Sequence, residues 1–285
     1  MPLFELNERP DLVSPVMVMA LEGWIDAGLG MASAAATILE GAELTTVASF
    51  DADNLLDHRA RRPTMQLVDG VNTGLGWPKI ELQVGPDDNG TDALFLLGAE
   101  PDHTWRAFAV AVADLALELD VRLVVGLGAY PAPVPHTRPT RVVSTATTTE
   151  LAQQIGFVPG RIDVPAGVHA AIERACADAG LPAVGLWAQV PHYSAAMPYP
   201  AAGAALLEAL ARHAGLHFDA GQLREQATAT RNRLDELVAN SDEHVAMVRQ
   251  LEEQLDAVED GGAMTLLSGD ELAAEVERFL RDQGG

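Results

Sequence analysis

The side chains best suited to proton transfer and anion binding gather in one proline-rich stretch of the chain. His136 can exchange a proton near neutral pH, and the Arg138 guanidinium can hold an oxyanion. Tyr130 stands just before them, and His192 and Tyr193 follow a later apolar run. These residue types suit acid–base catalysis or the binding of a small ligand. The structural alternative is that His136 and Arg138 hydrogen-bond carbonyls of their own loop.

A second group of candidates follows the first apolar run, VMVMAL. Glu22, Trp24 and Asp26 stand there as candidates for ligand binding, and Asp26 also for catalysis. The segment GLGMAS at 28–33 faintly resembles a dinucleotide-binding loop but lacks the third glycine. We therefore expect the Asp26 carboxylate to cap the next helix and the glycines to permit a tight turn.

A local basic cluster stands out in this acidic chain. Arg59, Arg61 and Arg62, with His58 beside them, could bind a carboxylate or a phosphate. The alternative is ion pairing with an adjacent subunit or with neighbouring carboxylates. Those carboxylates are Asp51, Asp53 and Asp57.

Other chemistries lack their motifs. The sequence has no G-x-S-x-G elbow of a serine hydrolase and no H-E-x-x-H metal motif, so no metal and no cofactor are predicted. The one cysteine, Cys176, excludes an internal disulfide, and its helix-like surroundings predict a buried core residue.

Composition narrows the partners further. The 285 residues carry a formal net charge of −23, which disfavours nucleic acid and anionic membranes. No basic segment followed by an apolar one opens the chain, and no apolar run approaches a membrane span. We expect a cytoplasmic protein.

The elements that must position the candidates alternate between strands and helices. The run at 121–127 predicts a strand buried on both faces, left through Gly126 and Gly128 into a stiff loop. Further strands are predicted at 16–21, 43–50, 65–68, 79–84, 94–97, 141–144 and 183–190, and helices at 31–39, 150–155, 168–179, 200–213 and in a segment ending at 119. This order predicts an α/β fold with a mostly parallel sheet covered on both faces.

The C-terminal part has a different pattern. Apolar and small residues between 222 and 258 recur at alternating steps of four and three, a heptad pattern with polar residues in its middle. Two helices folded back on the body and a projecting coiled hairpin both fit this spacing. The expected division is an α/β domain at 1–217, a helical segment at 218–260, and a linker with a terminal helix at 261–285.

Several short motifs together resemble a known family. They are Glu22-Gly-Trp-Ile-Asp-Ala-Gly28, Leu55-Leu-Asp-His-Arg-Ala-Arg-Arg-Pro63, Gly98-Ala-Glu-Pro-Asp102 with Trp105, Gly128-Ala-Tyr-Pro131, His136-Thr-Arg-Pro139, Leu186-Trp-Ala-Gln-Val-Pro-His-Tyr193 and Pro198-Tyr-Pro200. In order and spacing the chain is similar to the proteasome assembly chaperone-2-like proteins, in the branch found in actinobacteria.

This resemblance implies a three-layer α/β/α fold, phosphorylase- or hydrolase-like, with a C-terminal helical appendage. It also implies self-association, with a trimer among the expected assemblies, and proteasome subunits as candidate partners. It supplies no catalytic residues. Relatives dock through a C-terminal tail with a penultimate tyrosine; this sequence ends in 279–285, FLRDQGG, without that tyrosine.

Three hypotheses follow. The first is a non-enzymatic, homo-oligomeric protein that binds other proteins and resembles an assembly chaperone. The second is an enzyme or ligand-binding protein of nucleoside-phosphorylase or hydrolase type. Its pocket would lie at the strand ends, lined by Glu22, Asp26, Tyr130, His136, Arg138 and His192. The third is a purely structural role, in which the C-terminal helices build an oligomer.

Overall fold

The computed structural model describes residues 3–23, 25–41 and 43–259 of the chain. Trp24 lies outside the described residues, and so do the predicted linker and terminal helix at 261–285. Within the described ranges, none of the helices combines the length and the apolar character that crossing a bilayer requires.

Most strands lie where the apolar runs predict them. In chain order they are β1 (Phe4–Leu6), β2 (Val16–Glu22), β3 (Thr45–Phe50), β4 (Thr64–Val68), β5 (Val71–Gly76), β6 (Ile80–Pro86), β7 (Asp92–Ala99), β8 (Leu123–Ala132), β9 (Val142–Ala146) and β10 (Ala183–Pro191). The pattern does not predict β1 and β5, because β1 is only three residues long and β5 is rich in glycine and polar residues.

Eight of these strands form the central sheet, in the order β1-β3-β6-β7-β2-β8-β10-β9. The four strands β7, β2, β8 and β10 are parallel, and antiparallel strands extend the sheet on both sides of them. The two remaining strands, β4 and β5, pair only with each other and form the β4–β5 hairpin. The predicted α/β fold is confirmed.

Helices cover both faces of the sheet. They are α1 (Gly30–Gly41), α2 (Ala52–Leu55), α3 (Trp105–Glu118), α4 (Thr149–Ile155), α5 (Val168–Asp178), α6 (Pro200–Ala214), α7 (Gly221–Ala239) and α8 (Asp242–Glu259). Alternate residues of β2 enter two separate cores, Val16 and Val18 with α1 and α6, and Met17 and Met19 with α3 and α5. This alternation is what a strand between two helical layers requires.

The expectation that Gly126 and Gly128 end the central strand is wrong. Strand β8 continues through both glycines and through Tyr130 to Ala132. A Cβ at Gly128 would collide with the indole of Trp187 on β10. The glycine therefore makes room for a large neighbour within the sheet.

The candidate residues concentrate at one edge of the sheet, the edge where the parallel strands end, which we call the carboxyl edge. Strand β3 is antiparallel to β6, and β6 is antiparallel to β7, so β3 also ends there. The insertion at 51–79, which contains the β4–β5 hairpin, consequently leaves and re-enters the sheet at the carboxyl edge. The loop at 133–141 lies at the same edge.

The C-terminal helices fold back on the α/β body. Helix α7 packs on α6, and α8 packs on α7, so that α7 and α8 form a helical hairpin. Five apolar positions along the two helices are buried: Leu223, Leu234, Val248, Leu251 and Leu255. Much of the predicted heptad seam is thus buried by contacts within one chain.

Candidate functional site

His136 is held by three hydrogen bonds at the carboxyl edge. Its side chain is almost completely buried. The backbone N–H of His136 donates to the Tyr193 hydroxyl over 2.8 Å, and Nδ1 lies 2.7 Å from the same oxygen. Nε2 lies 3.1 Å from Oδ1 of Asp235 on α7. With the proton on Nε2, the hydroxyl donates to Nδ1 and the ring donates to Asp235, so every group is satisfied.

Arg138 fastens α8 to the same loop. Its Nε and Nη2 form a two-pronged contact with the Asp256 carboxylate, at 3.0 and 2.8 Å, and Nη1 donates to Glu252 over 3.0 Å. Glu252 also accepts a hydrogen bond from Thr137. The hydrogen bond from Arg138 lowers the pKa of Asp256.

His136 and Arg138 have the structural role given above as the alternative to catalysis, but their partners are not the predicted loop carbonyls. Neither His136 nor Arg138 bonds a loop carbonyl through its side chain; both bind carboxylates of the helical hairpin. The reason is that α8 presents acids at positions 252 and 256, one helical turn apart on one face. The loop carbonyl of Thr137 is instead bound by Arg231 of α7, over 3.1 Å.

We call His136, Arg138 and their carboxylate partners the loop cluster. Of the two aromatic candidates after β10, Tyr193 contacts this cluster directly. Burial raises the pKa of its phenol to about 12, so it stays protonated and can donate to His136. The ring of His192 meets that of Tyr193 edge-on at 5.3 Å. His192 is therefore a neighbour of the cluster through Tyr193.

Tyr130 forms a separate pair. It lies opposite Gln189 in the register of β8 and β10, and the Gln189 amide donates to its hydroxyl over 2.8 Å. Burial raises the pKa of Tyr130. This pair is a cross-strand contact within the sheet.

Asp26 caps a helix, as its position predicts. Its two carboxylate oxygens accept from the backbone N–H groups of Met31 and Ala32, at 2.7 and 2.9 Å. Burial raises the pKa of Asp26, and these hydrogen bonds oppose the rise. They occupy amides that a bound phosphate would need at the start of α1. Gly28, with φ at +61°, supplies the expected tight turn.

Glu22 is exposed at the end of β2, and its backbone carbonyl accepts from the N–H of Glu100. The buried carboxylate of Glu100 in turn accepts the N–H of Val168 over 2.6 Å, at the start of α5. Sequence reasoning did not single out Glu100 as a functional residue. The signal for it in the sequence is its position in the motif 98–102, directly after the apolar run 93–99.

The basic cluster at 58–62 divides into paired and unpaired members. Arg61 donates to Asp102 over 3.2 Å, and His58 lies 2.9 Å from Asp53. Arg59 and Arg62 are exposed, and their guanidinium groups pair with no carboxylate within the part of the chain that the structure describes; only the backbone N–H of Arg59 donates to Asp57, over 2.9 Å. The expected local pairing thus holds for His58, whereas Arg61 reaches a distant acid.

A shallow groove of about 200 Å³ lies between the 136–140 loop and α7. Of the six residues predicted to share one pocket, two, His136 and Arg138, line this groove. Its other walls include Tyr199, Thr230 and Arg231. Glu22, Asp26, Tyr130 and His192 are absent from that lining, so this groove does not unite the candidates.

The fold and the site together define a class of protein: a three-layer α/β/α domain with a C-terminal helical hairpin bound to a loop at its carboxyl edge. A family model described as the PAC2 family matches residues 20–238. The chain therefore belongs to the PAC2 family, as its motifs suggest. No protein among the curated sequences matches it.

Solved structures extend this result. A Corynebacterium glutamicum protein of unknown function is 32% identical, with a TM-score of 0.82 over 90% of this chain and 98% of that one. A Mycobacterium tuberculosis proteasome-assembly chaperone homologue is 33% identical, with a TM-score of 0.74 over 82% of this chain and 99% of that one. The archaeal proteasome activator PbaB of Pyrococcus furiosus is 19% identical and shares the fold, with a TM-score of 0.60 over 82% of this chain and 97% of that one.

Proposed function

We propose that this protein is a non-enzymatic assembly chaperone that binds proteasome subunits and acts as a homo-oligomer. The observation that carries the proposal is its similarity to the Mycobacterium tuberculosis proteasome-assembly chaperone homologue, which extends over nearly the whole of that protein. Membership of the PAC2 family supports the same chaperone-like role.

The geometry of the carboxyl edge agrees with a binding role. The groups best suited to acid–base work are engaged in fastening the helical hairpin: both ring nitrogens of His136 and the Arg138 guanidinium have partners. A general base needs a free lone pair within reach of the substrate proton. His136 could act as a general base only if these hydrogen bonds opened first.

Reconstitution tests the proposal. The purified full-length chain is mixed with separately purified proteasome α and β subunits of the organism that encodes it. Native mass spectrometry then follows the complexes while the core particle assembles. We expect complexes that contain this chain together with immature proteasome subunits, and earlier appearance of the complete core.

A control keeps the result specific. An unrelated protein of similar size and net charge is added at the same concentration, because excluded volume alone favours assembly slightly. An unchanged assembly rate, with no complex containing this chain, would overturn the proposal. Turnover of a metabolite by the purified chain would favour the phosphorylase- or hydrolase-like alternative instead.

A further inference from the structure

The β4–β5 hairpin exposes an apolar face that no other helix or strand of residues 3–259 covers to any substantial extent. Met65 lies opposite Leu75, and Leu67 lies two residues further along the same face. These three side chains are 51%, 45% and 57% exposed. No other helix or strand of the described residues packs extensively against the hairpin. An isolated two-stranded hairpin is marginally stable in water, so this face is suited to an intermolecular contact.

The hairpin is nevertheless held in place at its base. Asp102 accepts the backbone N–H of Asp57 over 2.8 Å and the side chain of Arg61 over 3.2 Å. The rings of His58 and Trp77, on the two sides of the base, meet at 4.9 Å. These contacts fix the base of the hairpin, and with it the position of the apolar face.

Charge indicates what kind of surface the hairpin meets. Residues 58–79 carry four basic side chains and one carboxylate, in a chain whose net charge is −23. Arg59 and Arg62, whose side chains pair with no carboxylate among the described residues, both lie just before the first strand of the hairpin. This region suits an acidic surface that also exposes apolar side chains.

Such a surface is present on the same chain, at the turn between α7 and α8. We call residues 236–245 the helical tip. It carries three exposed carboxylates, those of Glu236, Asp242 and Glu243, and no lysine or arginine. Leu237 and Val245 of the same segment are 51% and 46% exposed. Within one chain the hairpin and the helical tip do not pack against each other to any substantial extent.

From this complementarity we propose that the β4–β5 hairpin of one copy docks on the helical tip of a second copy. The two surfaces differ, so the contact is head-to-tail, and its repetition closes a ring when the rotation between copies allows it. Copies of so acidic a chain repel one another. The repulsion is weakest where the basic residues of 58–79 face a second copy. The inference deepens the self-association in the proposed function and rests on it.

Charge reversal on the full-length chain tests the contact. One variant is Arg59→Glu with Arg62→Glu, a second is Asp242→Arg with Glu243→Arg, and a third combines all four changes. Analytical ultracentrifugation over a concentration series measures self-association, and native mass spectrometry gives the subunit number. We expect each pair alone to raise the dissociation constant on the order of 10- to 100-fold, because like charges then face each other. The combined variant should recover association, since the charges are swapped and opposite again.

A matched control separates this contact from general repulsion. Arg106→Glu with Arg174→Glu makes the same change in net charge on the exposed surfaces of α3 and α5, and should leave association unchanged. Thermal unfolding of every variant verifies that it is folded. Met65→Ser with Leu75→Ser provides a second, uncharged test and should also weaken association.

The outcomes distinguish the inference from the proposed function. If the wild-type chain self-associates but the combined variant does not recover, the docking surface is wrong and self-association stands. If changes at the hairpin weaken association and those at the helical tip do not, hairpin-to-hairpin pairing replaces it. A wild-type chain that stays monomeric at all concentrations overturns both the contact and the homo-oligomer, whereas subunit binding in the reconstitution is measured independently.

Discussion

Nε2 of His136 lies 3.1 Å from Oδ1 of Asp235, 99 residues further along the chain. On the other side of the ring, Tyr193 bonds both the backbone N–H of His136 and Nδ1. A residue that the sequence offers as a catalyst is thus one of the side chains that connect the α/β body to the helical hairpin.

Tyr193→Phe should destabilise the protein by about 1–3 kcal/mol, the cost of leaving a buried donor without its partner. The change removes the oxygen that satisfies the His136 backbone N–H while it keeps the ring. Urea unfolding measures the loss. Tyr130→Phe is the matched control, since its hydroxyl accepts a single side-chain bond, from Gln189, and a smaller loss is expected. Equal losses for the two variants would contradict the role assigned to Tyr193.

Arg138→Lys should loosen α8 without disturbing the sheet. Lysine keeps the charge but cannot form the two-pronged contact with Asp256 or reach Glu252 at the same time. Hydrogen exchange of the α8 amides should quicken about two- to fivefold, as is typical when an exposed ion pair is lost. Exchange in β8 should stay unchanged. Arg249→Lys is the control, because Arg249 pairs with Glu253 on the same helix and does not bridge to the body.

Asp87 should make the entry to the helical hairpin sensitive to acid. Burial acts to raise its pKa, but backbone hydrogen bonds from His217, Thr91 and Asn89 outweigh burial and lower the pKa below its ordinary value of 3.8. A carboxylate with a lowered pKa stabilises the fold above the unfolded-state pKa, and this contribution is lost as the pH falls through the folded-state pKa.

The comparison of wild type with Asp87→Asn tests that sign. Near pH 7 the variant should be less stable by roughly 1–3 kcal/mol, because the amide cannot accept all three backbone bonds. The difference should shrink once the pH drops below 3.8. Urea unfolding at a series of pH values measures it. A difference that grows on acidification would refute the assignment.

Asp26→Ala should lower the free energy of unfolding by about 1 kcal/mol through loss of the helix cap. Asp26→Asn keeps one acceptor oxygen and should retain part of that stability. Glu22→Gln, at the exposed end of the same strand, is the control and should have no measurable effect. If Asp26 serves as an acid or base instead, Asp26→Asn would abolish an activity while leaving stability nearly intact.

Cys176 should be unreactive in the folded protein. It is completely buried on α5, and burial raises the pKa of its thiol to about 11, so almost no thiolate forms at neutral pH. Labelling with a thiol reagent should follow global unfolding in urea. Rapid labelling under native conditions would show that α5 opens locally.

The layered fold is readable from the sequence because local patterns encode it. Strand β2 is a continuous apolar run, as a strand covered on both faces must be, and Pro200 at the start of α6 fits the first helical turn. The β4–β5 hairpin was not predicted because its second strand contains glycine and asparagine and few apolar residues, and so lacks the alternation of apolar and polar residues that indicates a strand. The prediction at Gly128 was wrong for a related reason. A glycine is needed there because of the Trp187 indole, which belongs to another strand and cannot be recognised from the residues around Gly128.

The sequence by itself determined the α/β fold, the cap at Asp26, the burial of Cys176 and the family, because each depends on neighbours close in the chain or on motifs in a fixed order. Only the tertiary structure decided what His136 and Arg138 do. Their partners, Asp235, Glu252 and Asp256, come from helices about 100 residues away. No local pattern specifies which loop a carboxylate on an amphipathic helix will meet, since that depends on how the helix packs against the completed sheet.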